Sequence, residues 1–115
     1  VIIELPYPHK DLWPNGRAHW GAKSAQTKKH RAWAFAAMKE VLPVCFKHNG
    51  ERVPIRLTVS AKATGPLPDK DNCLAAAKAY LDGFADALGI NDSMFDPQPV
   101  HFAGRRSNFV FEVGE

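Results

Sequence analysis

From Cys73 to Leu88 the chain is mostly alanine and leucine, with one internal glycine and no proline. The stretch before it, Thr64-Gly65-Pro66-Leu67-Pro68, is held extended by its prolines, so a change of structure is forced between the two. Small and straight-chain residues lose little on entering a helix, and Asp71 or Asn72 offers a side-chain oxygen to cap its first turn. Gly89 supplies the usual stop. On this helix Leu74, Ala77, Leu81, Phe84 and Leu88 share one stripe, the face expected to pack on the core. Lys78 and Asp82 fall on another, within about 20° of the direction of Asp71 at about 100° per residue.

The remaining pattern predicts a small α/β (α+β) domain over residues 1–115, with a mixed sheet and two main helices. Val1 to Leu5 reads as a strand stopped by Pro6-Tyr7-Pro8, and His9 to Gly21 as an irregular loop with a turn at Trp13-Pro14-Asn15-Gly16. Lys23 to Leu42 is the first helix, with His30, Trp33, Ala34, Ala37, Met38 and Val41 on one face and Pro43 at its end. Alternation marks Val53 to Ala63 as a strand, with Val53, Ile55, Leu57 and Val59 on one side and Arg56, Thr58 and Ser60 on the other. Met94 to Gln98 reads as a loop with a turn at Asp96-Pro97. Two further strands are expected, a short one over Pro99 to Ala103 and a better one over Ser107 to Val113, with Phe109 and Phe111 opposite Val110.

A chain of 115 residues with 45% hydrophobic and 23% charged residues can bury one core. The two cysteines, Cys45 and Cys73, do not make a disulfide framework, and no signal segment or long apolar run is visible. A reduced, cytoplasmic protein without a membrane span is expected. Cys45 and His48 have the spacing of half a zinc site, but no second pair completes it. The net charge of +3 permits a polyanionic partner without requiring one, so the distribution of charge matters more.

Two features of that distribution carry chemistry. In an extended segment Asp69 and Asp71 point to the same side, where they could share a cation, and Ile90-Asn91-Asp92 returns another carboxylate towards Lys78 and Asp82. Each has an ordinary alternative, as helix cap, i,i+4 surface pair or turn residue. Together, oxygen-only donors of this kind suit Mg²⁺ or Mn²⁺ and metal-assisted phosphodiester hydrolysis. The second feature is basic. Arg17 and His19 accompany Trp13 and Trp20 in the first loop, Lys23, Lys28, Lys29 and Arg31 follow on the first helix, and Arg105 and Arg106 lie before the last strand. These cations are either solvated faces or contacts to a nucleic-acid backbone, with the tryptophans either lids on the core or stacking groups.

The order Asp69-x-Asp71-Asn72, a lysine on the following helix, Asp82-Gly83 and Asn91-Asp92 resembles the signature of the RusA-type Holliday junction resolvases and their phage-borne relatives. Leu5-Pro6-Tyr7-Pro8 followed by Pro14-Asn15-Gly16-Arg17-Ala18-His19-Trp20 resembles the N-terminal pattern of the phage-type members, so the likeness spans nearly the whole chain. The resemblance implies a homodimeric, Mg²⁺-dependent endonuclease of mixed α/β fold that cuts four-way DNA junctions by paired incisions. It also implies that Asp69, Asp71 and Asp92 are the metal ligands and Lys78 the essential lysine. In the best-known member the lysine follows the Asp-Asn pair more closely; Lys70 is nearer in sequence here, but alternation turns it away from the aspartates. On this reading the metal would polarise the scissile phosphate and activate a water, Lys78 would meet charge building on the phosphate, and Asp82 would orient Lys78.

Overall fold

A computed structural model describes residues 1–14, 19–41 and 50–114. The sheet is built around the C-terminal strand β5, Asn108–Val113, which pairs antiparallel on both sides. One neighbour is β1, Ile2–Pro6, and the other is β2, Val53–Ser60. Directly opposed residues of an antiparallel pair share a face, so the register writes the core in rows. Ile3, Phe111 and Leu57 make one row; Leu5, Phe109 and Val59 make the next; all six are buried. Beyond β2 the sheet turns parallel, with β3, Phe95–Pro97, and β4, His101–Phe102, both paired to β2. The expected mixed sheet is present, with five strands where the sequence marked four. Phe95 to Pro97, expected as loop and turn, instead forms β3, because Phe95 is buried beside Val53 and its carbonyl accepts from Arg52 Nη2 at 2.8 Å.

Three helices cover the apolar face of the sheet: α1, Trp20–Val41; α2, Lys70–Ala76; and α3, Lys78–Leu88. The first starts three residues earlier than the periodicity indicated and buries only His30, Ala34 and Met38 fully. Trp33 and Val41, expected on that face, are exposed. The narrowness has a cause. Gly83 of α3 lies directly against the backbone of α1, so small residues set the contact and large ones are left at its margins.

His30 is an unusual core residue. Its Nε2 accepts from the His9 amide at 3.2 Å, which places the ring hydrogen on Nδ1, donated to the Gln26 carbonyl at 2.7 Å. Burial holds its pKa below the ordinary histidine value, so the ring is neutral at pH 7.

The expected single helix after Asn72 is divided. Ala77, at φ −84° and ψ −4°, separates α2 from α3, although its amide still bonds the Cys73 carbonyl at 3.0 Å and Leu81 bonds back to it. Its buried stripe is also rotated from the expected one. Cys73, Ala77, Tyr80, Phe84 and Ala87 are buried, whereas Leu74, Leu81 and Leu88 are only partly covered. Tyr80 can occupy the core because its hydroxyl donates to the Pro6 carbonyl at 2.7 Å while its ring meets Phe111 edge-on. Ser60, expected on the solvent side, is buried likewise, its hydroxyl accepting the Arg106 amide at 2.7 Å.

Candidate active site

The acidic segment enters the fold as a helix start. Asp69, not Asp71 or Asn72, is the cap of α2: its Oδ1 accepts the amides of Asp71 at 2.8 Å and Asn72 at 3.4 Å. Asp71 is already in the first helical turn and exposed to solvent. The two carboxylates therefore do not alternate along one extended strand as the spacing suggested. One is used in capping, and the other stands at the helix terminus where a negative charge is favourable.

Beneath this turn Cys73 is fully buried, and burial followed by the Asp69 charge pushes its thiol up to about 11.

Lys78 begins α3, and two carboxylates converge on it. Its Nζ bonds Asp82 Oδ1 at 2.8 Å, one turn along the helix, and also bonds Asp92 Oδ2. The second contact depends on how α3 ends. Gly89 adopts the left-handed conformation at φ 71°, and the Ile90 amide closes back on the Ala85 carbonyl at 3.0 Å. Asn91 Oδ1 then accepts the Ser93 amide at 2.9 Å, fixing the short 3₁₀ turn Asp92–Met94 that returns Asp92 to Lys78. Hydrogen bonds from Asp82 first, then Asp92, raise the Lys78 pKa, and Lys78 in turn lowers that of Asp92. The ammonium keeps its charge, and the Lys78 side chain remains 59% exposed.

Lys78 and Asp82 line a cleft of about 280 Å³ with Ala75, Ala76 and Ala79 on the same side and Lys23 and Thr27 of α1 across from them. The alanines leave the cleft open. Lys23, read from the sequence as a solvated residue or a contact to the nucleic-acid backbone, is thereby brought to the candidate site.

The other expected DNA contacts separate by what their side chains do. Arg31 is engaged by Asp86 of α3, with Nε to Oδ2 at 2.6 Å and Nη2 to Oδ1 at 2.9 Å, and this bidentate pair links the two helices. Lys28 and Lys29 are exposed, with Lys29 lying 5.0 Å from the Trp33 ring. His19 accepts the Gly21 amide at the start of α1 and stacks on Trp20, which is 77% exposed. Arg105 donates to the carbonyls of Lys62 and Gly65, at 3.0 Å each, so it braces a loop; Arg106 is exposed. Arg17, the Asn15-Gly16 part of the first turn, Pro43 and the Cys45/His48 pair lie outside the described residues.

In chemistry, Asp69, Asp71 and Asp92 fit a hard divalent ion, since carboxylate oxygens are what Mg²⁺ and Mn²⁺ prefer. In placement, no three acidic, histidine or cysteine side chains among the described residues are grouped as a metal cage. Asp69 offers the oxygen not used in its cap, and Asp92 would have to share or release Lys78. Among the described residues no helix is long and apolar enough to cross a membrane.

No family model matches the chain. A protein of Xylella fastidiosa (strain Temecula1 / ATCC 700964), described as an uncharacterized protein, is similar: 41% identical over 103 residues, which is 85% of this chain and 64% of that protein. The chain thus spans less than two thirds of the relative it matches.

Proposed function

We propose that this chain is a RusA-type, Mg²⁺-dependent endonuclease that acts in the cytoplasm as a homodimer and cuts four-way DNA junctions. The observation that carries the reading is the charged Lys78, held by Asp82 and Asp92 at the mouth of a cleft that Lys23 faces, immediately after the helix that begins at Asp69 and Asp71. Phosphodiester chemistry needs positive charge fixed where negative charge develops, and a lysine pinned by carboxylates provides it without reorganisation. Asp82 is the positioning residue, because it fixes the ammonium from within the same helix.

Asp69, Asp71 and Asp92 are the residues that would hold Mg²⁺, which when bound supplies Lewis-acid activation of the phosphate and of water. Lys23 would contact the phosphate backbone from α1, Lys28, Lys29 and Arg106 would add weaker, sequence-independent electrostatic attraction, and His19 would offer a ring N–H. A dimer with two-fold symmetry would match the approximate two-fold symmetry of a four-way junction, setting one site on each of two strands.

A second reading is favoured by the prior engagement of two carboxylates, Asp69 in its cap and Asp92 with Lys78. On it the chain is a DNA-binding module without turnover. Cleavage of an end-labelled four-way junction with Mg²⁺ or EDTA, for wild type and Asp71→Asn, separates the two. Symmetric nicks that require both Mg²⁺ and Asp71 establish the nuclease; a junction bound but uncut, with Mn²⁺ also tried, establishes the module. Competition with flap and fork substrates then decides whether four-way junctions are the preferred branched DNA.

A further inference from the structure

A recess of about 390 Å³, separate from the Lys78 cleft, is lined by Tyr7, Trp13, Lys10, Lys62, Gly65 and Pro68, among others. Its volume lies within the range of about 300–1,000 Å³ typical of small-molecule sites. The aromatic part is rigid. Tyr7 and Trp13 stack with ring centroids 5.2 Å apart and planes 22° from parallel, and both meet Phe109 of the core edge-on. The indole N–H of Trp13 is fixed by the Pro8 carbonyl at 3.1 Å.

The remaining walls carry two lysines among small and proline residues, and one of the lysines sits on a braced loop. Lys62 Nζ lies 5.6 Å from the Tyr7 ring centre, Lys10 is exposed, and no acidic residue lines the recess. Arg105 bonds the carbonyls of Lys62 and Gly65, which fixes the loop carrying one lysine against the platform. Pro68 completes the wall and is followed directly by Asp69. An aromatic wall flanked by two lysines, one of them with its ammonium over the Tyr7 ring, is complementary to a flat ring carrying a phosphate. A base stacked inside a duplex cannot enter such a recess, whereas an unpaired base can.

We propose that this recess binds one unpaired nucleotide of the DNA, its base against the Tyr7–Trp13 platform and its phosphate between Lys10 and Lys62. The proposal rests on the nucleic-acid reading above and adds to it a recognition site next to the acidic segment. Unpaired nucleotides at a branch point would then be the part of the substrate that the protein distinguishes from plain duplex.

The test is a titration of the ¹⁵N-labelled full chain with the oligonucleotide (dT)₄ in EDTA, following the indole N–H signals of its three tryptophans, assigned by Trp→Phe variants. The Trp13 signal should shift saturably while that of Trp33 stays in place. The Lys10→Ala/Lys62→Ala variant, which alters only exposed side chains and whose fold is checked by its unshifted Trp33 signal, should weaken binding roughly tenfold or more. Inorganic phosphate alone should move Trp13 little. A Trp13 signal unmoved by (dT)₄, equal affinity in the double variant, or an equal response to phosphate would each overturn the proposal. A protein that binds (dT)₄ here yet never cuts junctions sinks the nuclease reading alone, and one that cuts while Trp13 stays silent sinks the recess alone.

Discussion

Gly83 and Arg31 are in backbone contact: a Cβ placed on Gly83 would fall 2.3 Å from the Arg31 carbonyl oxygen and 2.7 Å from the Ala34 Cβ. Alanine normally favours a helix over glycine by about 1 kcal/mol. Here the clash with backbone should dominate, so Gly83→Ala should lose about 1–3 kcal/mol in urea unfolding. Unchanged or increased stability would show that α1 and α3 can part without cost.

The two carboxylates on Lys78 should be distinguishable by the pH dependence of junction cleavage. Both raise the Lys78 pKa, the Asp82 bond most. Asp82→Asn should therefore let Lys78 lose its proton at lower pH and move the alkaline limb of the profile downward. Lys78→Met should remove that limb along with most of the activity, by a factor of about 10² or more. An Asp82→Asn profile superimposable on wild type would mean that Lys78 does not act through its charge.

Stability should fall as pH drops through the ordinary histidine range, and His30 is the cause. Its folded pKa lies below the ordinary value of 6.5, so the unfolded chain takes up the proton first. The stabilisation is complete above pH 6.5 and is lost as pH falls towards the folded pKa. Protonating Nε2 would also end its bond with the His9 amide. Denaturation midpoints from about pH 8 to about pH 5 should decline more steeply for wild type than for His30→Gln; parallel curves would remove His30 from this role.

Salt dependence separates the basic residues of α1. Replacing Lys23, Lys28 and Lys29 by alanine should flatten the slope of log affinity against log salt by about 0.9 for each DNA phosphate that the protein no longer neutralises. Arg31→Ala should leave the slope nearly unchanged, because that guanidinium is committed to Asp86. Its stability cost should be below about 1 kcal/mol, since both partners are exposed. A slope that changes as much for Arg31 as for the lysines would contradict this division.

What was legible in the sequence follows from which forces are local. Alternation in β2 and β5 is a property of each strand alone, and Ile55, Leu57, Val59, Phe109 and Phe111 all lie on the buried face that it indicated. The Lys78–Asp82 pair and the Gly89 stop are likewise local, and both are present. The bury-the-leucines rule failed on α2 and α3, because Gly83 packs directly on the α1 backbone, the small Ala77 and Ala87 are buried instead of the leucines, and Tyr80 found a carbonyl for its hydroxyl. Asp69 displaced Asp71 and Asn72 as the cap, a matter of one residue of backbone geometry. Arg31 and Arg105 read as free cations because their partners, Asp86 and two loop carbonyls, are far away along the chain. Lys10, Lys62 and Tyr7 had no shared signal, since only the folding of the first loop against the segment after β2 makes them neighbours.

The burial of Cys73 beneath the capped turn makes that residue a clock. A thiol fully shielded from water and pushed up to about 11 resists alkylation while the turn is closed, and it reacts only during openings. Peptide-resolved alkylation of Cys73 thus times how often the segment bearing Asp69 and Asp71 comes undone. The same readout, with DNA or a divalent ion added, would report how far either one keeps that segment shut.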